Sequence, residues 1–109
     1  MVTLSEENYL KAIYHLAKQD KASVSTNAIA TKMLTKASSA TDMIKKLAEK
    51  GLVDYQKYQG VHLTEKGRFA AVSVIRKHRL WEVFLVKKLN FYWDEVHEVA
   101  EQLEHIKSE

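Results

Sequence analysis

Apolar residues recur at helical spacing along almost the whole chain. Between Leu4 and Lys18, Tyr9, Ile13, Leu16 and Ala17 fall on one side with Leu10 and Ala12 beside them, which predicts a first helix. Ser5 is the expected cap, with Asn8 at the third helical position. Glu6 and Glu7 stand in the first turn, where the helix dipole favours negative charge. Gln19 to Val24 reads as a polar connection.

From Ser25 the elements shorten. Ser25 or Thr26 caps a short helix whose expected buried set is Ile29, Ala30, Met33 and Leu34. A turn at Thr35-Lys36-Ala37 leads into a longer helix, from about Ser38 to Lys50, with Ala40, Met43, Ile44, Leu47 and Ala48 apolar. Gly51 ends it as a C′ glycine. Two helices joined by so short a turn fit a helix-turn-helix, although this turn lacks the frequent glycine. Leu52 to Tyr55 and Val61 to Leu63 then alternate as strands around Gln56–Gly60, a hairpin loop.

Thr64 caps a long helix that runs to about Lys88. It is basic at Arg76-Lys77-His78-Arg79 and strongly apolar from Leu80 to Leu89. That apolar surface exceeds what one small domain covers, so a second copy of the chain is expected on it. Asn90 to Trp93 breaks the helix, and Asp94 to Ile106 is the last one, with Val96, Val99, Ala100 and Leu103 inward.

Composition adds limits. The chain has 109 residues, no proline and three glycines, which favours a mainly α fold. It has no cysteine, so disulfides and thiolate metal sites are excluded. No apolar run reaches membrane-spanning length and no signal sequence opens the chain, so a cytoplasmic protein without a membrane partner is expected. The net charge of +3 conceals an asymmetry: residues 1–90 carry +8 and residues 91–109 carry −5. The basic part suits a polyanion, and the acidic part would repel it and attract cations.

Two groups of side chains carry candidate chemistry. The outward face of the second helix-turn-helix element holds Ser38, Ser39, Thr41, Asp42, Lys45, Lys46 and Glu49. Short hydroxyls near a helix start followed by lysines are what a major-groove reading helix needs. Thr26, Lys36 and, at the hairpin tip, Lys57 and Tyr58 join these as DNA contacts in a winged helix-turn-helix. The other reading of the same face is an ordinary solvated surface. Near the C-terminus His97, Glu101, Glu104 and His105 stand at i, i+4, i+7 and i+8, and His78 and Glu82 repeat the i, i+4 spacing earlier. Imidazoles and carboxylates on one stripe suit a borderline divalent metal, and the same spacing also decorates solvated helices.

The chain resembles the diphtheria-toxin-repressor family of metal-dependent transcriptional repressors, which has iron-type and manganese-type members. The likeness rests on Glu7-Asn8-Tyr9-Leu10-Lys11-Ala12-Ile13-Tyr14, Leu47-Ala48-Glu49-Lys50-Gly51-Leu52-Val53 and Leu63-Thr64-Glu65-Lys66-Gly67-Arg68. It is strongest at Arg76-Lys77-His78-Arg79-Leu80-Trp81-Glu82, Val96-His97-Glu98 and Leu103-Glu104-His105. It implies a mainly α chain: a winged helix-turn-helix DNA-binding domain over residues 1–72, then a truncated helical dimerisation domain over residues 73–109. It also implies up to two divalent ions per chain, Fe(II) or Mn(II), a homodimer, and a double-stranded DNA operator. One ion would take Asn8, Glu101, Glu104 and His105, and the other His78, Glu82 and His97.

Some positions depart from the family's patterns. Iron-type members usually carry Met where this chain has Asn8 and Cys where it has Glu101. Manganese-type members usually carry carboxylates at both, and another where Lys11 stands. The family's dimerisation domain continues beyond this length, and many members add an SH3-like domain.

A winged-helix regulator that is not switched by metal is the alternative. Catalysis is not expected: in His97-Glu98-Val99-Ala100-Glu101 a glutamate stands where a zinc-protease motif needs its second histidine.

Overall fold

The computed structural model describes residues 2–20, 23–56, 60–89 and 93–105. Its elements are helices α1 (Leu4–Asp20), α2 (Thr26–Lys32) and α3 (Ala37–Glu49), strands β1 (Val53–Gln56) and β2 (Gly60–Leu63), and helices α4 (Glu65–Leu89) and α5 (Trp93–Leu103). They group into two compact units, Met1–Ala71 and Val72–Glu109. Helix α4 starts in the first and has most of its length in the second.

In the first unit α1, α2 and α3 pack with a two-stranded antiparallel hairpin. Leu10 and Ile13 of α1, Ile29 of α2 and Ile44 and Leu47 of α3 are fully buried, with Leu52 and Val61 beside them. Each such side chain contributes about 1.5–3 kcal/mol by leaving water. The hairpin register pairs Val53 with Leu63 and Tyr55 with Val61, so apolar side chains share the inner face. Asp54 and His62 pair on the outer face, where both are exposed. This is the winged helix-turn-helix order that the pattern predicted.

Several details differ from that pattern. The cap of α1 is Thr3, not Ser5. Its hydroxyl accepts from the Glu6 backbone N–H at 3.2 Å, and Glu6 Oε1 accepts from the Thr3 N–H at 2.8 Å, a reciprocal capping box. Glu6 and Glu7 are both buried rather than solvated in that first turn.

Leu34 is not in the core. It has φ of +55° and is 93 % exposed. The helix-turn-helix bend needs a left-handed residue here, and a leucine takes the place where glycine is often found. That conformation swings its side chain out of the apolar row of α2. Helix α3 starts at Ala37, one residue before the expected Ser38. Its N-cap, Lys36, makes no side-chain cap hydrogen bond.

Val24 is not part of a polar connection. It is buried and pairs antiparallel with Val61, N–H to carbonyl at 3.0 and 2.8 Å, adding a one-residue strand to the wing. Between the candidate caps of α2, Ser25 is the one used: its hydroxyl accepts from the Ala28 N–H at 3.0 Å.

Gly67 is a packing glycine. A Cβ there would lie 1.9 Å from the Leu52 carbonyl oxygen. This close approach seats the start of α4 against the turn that follows α3. Thr64 caps α4 by accepting from the Gly67 N–H at 3.0 Å, and its hydroxyl donates to the Gly51 carbonyl at 2.7 Å.

In the second unit Leu85 of α4 and Val96 and Ala100 of α5 form a small core, with Trp81, Val86, Val99 and Leu103 against it. The last helix ends at Leu103, short of the predicted Ile106, which lies outside the described residues. Glu104 still donates its N–H to the Ala100 carbonyl at 2.8 Å. Phe69, Leu80, Val83 and Phe84 of α4 are exposed, the surplus apolar surface that the sequence led us to expect. Among the described residues no helix is long and apolar enough to cross a membrane.

Candidate metal centre and nucleic-acid interface

One turn of helix separates His78 from Glu82 on α4, so their side chains project from the same face. The packing of α5 on α4 through Val96 and Ala100 brings His97 to them. One ligand atom from each of His78, Glu82 and His97 lies within 4.8 Å of the other two. Among the described residues this is the one group of three histidine or carboxylate side chains that converges so closely. Glu82 Oε2 is 3.1 Å from His78 Nε2 and 3.5 Å from His97 Nδ1. The imidazole rings meet edge to face, 4.9 Å between centroids. Two imidazole nitrogens and a carboxylate oxygen, with no thiolate in the chain, are a donor set that fits Mn, Fe, Co, Ni or Zn as divalent ions.

The residues expected in the other ligand set are placed as follows. Asn8 is half-buried on α1, in the first unit. Glu101, Glu104 and His105 belong to the second unit. Glu101 is exposed and stands 3.7 Å from His97 Nε2. Glu104 is fully buried, its Oε1 2.5 Å from His78 Nδ1 and its Oε2 3.3 Å from the half-buried His105 Nε2. The contact of Glu104 with His78 was not legible in the sequence, because 26 residues separate the two.

The reading-helix candidates lie on α3 and around its start. Ala40, Ile44 and Leu47 bury one side of α3. Ser38, Ser39, Asp42, Lys45, Lys46 and Glu49 are exposed on the rest, with Thr41 half-buried. Lys36 is exposed just before α3, and Thr26 is half-buried at the start of α2. Lys57 and Tyr58 lie outside the described residues.

A second basic group flanks α1. His15 is held below the usual imidazole range by partial burial, then by the charges of Lys32, Lys11 and Lys18. Those lysines raise the positive field of the first unit beyond that of α3 alone.

A brace that the sequence reading missed secures the far end of α3. Lys50 Nζ, just past the helix, donates to the buried Glu6 Oε1 at 2.7 Å. No local spacing signals this pair, since 44 residues separate Glu6 from Lys50.

Residues 1–61 match the family described as iron dependent repressor, N-terminal DNA binding domain, and residues 64–109 match the iron dependent repressor, metal binding and dimerisation domain. The chain belongs to the iron dependent repressor family. Its two matched segments are those of a DNA binding domain and of a metal binding and dimerisation domain, and the resemblance to the diphtheria-toxin-repressor family holds. It is 37 % identical over 105 residues to the HTH-type transcriptional regulator MJ0568 of Methanocaldococcus jannaschii, covering 96 % of this chain and 84 % of that one. It is 34 % identical over 103 residues to the iron-dependent repressor IdeR of Mycobacterium tuberculosis, covering 94 % of this chain and 44 % of IdeR. The solved structure of the manganese regulator SloR superposes with a TM-score of 0.78 at 47 % identity, over 95 % of this chain and 48 % of SloR. The chain therefore spans less than half the length of IdeR and SloR. These relatives are regulators, and both iron and manganese appear among them.

Proposed function

We propose that this chain is a cytoplasmic repressor that binds a double-stranded DNA operator as a homodimer, with Fe(II) or Mn(II) as co-repressor and up to two ions per chain. Residues 1–72 would be the DNA-binding domain and residues 73–109 part of the dimerisation domain. The observation that carries this reading is the convergence of His78, Glu82 and His97 within the segment matching the family's metal binding and dimerisation domain. Those three residues would hold one ion, and Asn8, Glu101, Glu104 and His105 the other. A bound ion supplies positive charge among donors that otherwise face one another. His78 and Glu82 fix the α4 side of the site and His97 the α5 side, so occupancy favours one arrangement of that helix pair.

On the DNA side, Ser38, Ser39, Thr41 and Asp42 would meet base edges and phosphates near the start of α3. Lys36, Lys46, Thr26 and the hairpin-tip residues Lys57 and Tyr58 would neutralise or contact the flanking backbone. In a dimer the two reading helices would serve half-sites about 34 Å apart. A coupling of only about 1–3 kcal/mol between metal and DNA binding makes a working switch. Mobility shift on operator DNA, with Mn(II) or Fe(II) and with chelator, tests it. Tighter binding with metal is expected. Equal binding in chelator would remove the switch and leave a winged-helix regulator that does not respond to metal.

A further inference from the structure

Each histidine of the triad has a second carboxylate at its back. His78 turns Nε2 to Glu82 and Nδ1 to Glu104. His97 turns Nδ1 to Glu82 and Nε2 to Glu101. The two arrangements differ in strength. The His97–Glu101 pair is 3.7 Å apart and more than half exposed on both sides, which is too long for a hydrogen bond. The His78–Glu104 pair is 2.5 Å apart, and Glu104 is completely enclosed.

A neutral imidazole presents one bare nitrogen to a metal only if its proton sits on the other, and an acceptor there fixes that choice. Glu104 Oε1 is such an acceptor at His78 Nδ1. The carboxylate is itself held: its backbone N–H bonds the Ala100 carbonyl, and its Oε2 lies on His105. Burial of a carboxylate is costly unless it is partnered, so this placement defines one geometry.

We propose that Glu104 is a positioning residue for the His78–Glu82–His97 triad. Its carboxylate keeps the proton on His78 Nδ1 and so presents Nε2 to the ion. This role is additional to the ligand role expected of Glu104, and it rests on the metal reading of the triad.

The test uses the full chain loaded with Zn(II), which is diamagnetic, and long-range proton–nitrogen correlation of the histidine rings. The expected result is a proton on His78 Nδ1 and a metal-induced shift at Nε2. Mn(II) affinity at the triad is then read from paramagnetic broadening of the His78 and His97 ring signals. Glu104→Gln keeps size and an acceptor but loses the charge, and should weaken that affinity roughly 10–100-fold. Glu104→Met removes the acceptor and should also abolish the His78 preference for a protonated Nδ1; Glu104→Gln serves alone if Glu104→Met unfolds. Asp54→Asn, exposed on the outer face of the hairpin, should leave both readouts unchanged. Zn(II) shifts at both rings with metal on His78 Nδ1, or Mn(II) affinity of Glu104→Gln within about twofold of the parent, would overturn the proposal while leaving the triad a metal site. No Zn(II) shift at either ring would overturn the metal reading and this inference together.

Discussion

Replacing Lys50 by methionine tests how the end of α3 is held. Glu6 is 3 % exposed, and Lys50 Nζ lies 2.7 Å from its Oε1. Removing one partner of a fully buried ion pair costs about 3–5 kcal/mol. Here Lys50 is 38 % exposed in its side chain, so part of the interaction is screened. Glu6 also keeps the Thr3 backbone N–H. Lys50→Met should therefore cost about 2 kcal/mol, which for a unit of this size lowers Tm by roughly 8–16 °C.

The effect must depend on pH with a defined sign. Burial alone would raise the Glu6 carboxyl. The Lys50 hydrogen bond, the Thr3 backbone and hydroxyl groups and the Lys50 charge together outweigh it, so its pKa is lowered. A carboxyl with a depressed folded pKa contributes its stability above its unfolded value, about 4.3, and loses it as pH falls through the folded value. The difference between parent and variant should thus be full at neutral pH and shrink below about pH 4. Urea melts followed by circular dichroism at a series of pH values measure both. A loss under about 0.5 kcal/mol at neutral pH, or a loss that does not diminish in acid, would refute the argument.

Gly67→Ala should destabilise the first unit by about 3 kcal/mol or more in thermal melts, because the added methyl meets the Leu52 backbone rather than a side chain that could turn away. Leu34→Gly should stabilise by about 0.5–1 kcal/mol: relief of a left-handed leucine, about 1–2, exceeds the extra unfolded-state freedom of glycine. No side-chain packing is lost, since Leu34 is almost wholly exposed, and an unchanged or lower Tm would count against strain at that turn. His78→Ala and Glu82→Gln should each remove Mn(II) binding at the triad in titration calorimetry and abolish the metal response of DNA binding. Lys46→Ala should weaken binding to operator and unrelated DNA alike and reduce the salt slope by about 1. A loss confined to the operator would instead assign Lys46 to base recognition.

Periodicity alone was enough for the succession of helices, the hairpin and the inward faces of α3 and α5. Burial of apolar side chains is the largest local constraint, and its period is written in the chain. His78 and Glu82 were also legible, because one helical turn sets their spacing. Tertiary structure decided what depends on distant pairs or on backbone conformation. The backbone angle at Leu34 placed it outside despite its apolar spacing. Val24 found Val61 across the fold, since an isolated strand residue has no periodicity of its own. Glu6 met Lys50, and Glu104 met His78, through contacts that no local rule encodes. The sequence by itself thus determined the order of helices and hairpin, and it set His78 and Glu82 one helical turn apart. The family resemblance already grouped His97 with His78 and Glu82, and the packing of α5 on α4 is what brings the three together. Only the tertiary structure decided that a buried glutamate stands behind one of them.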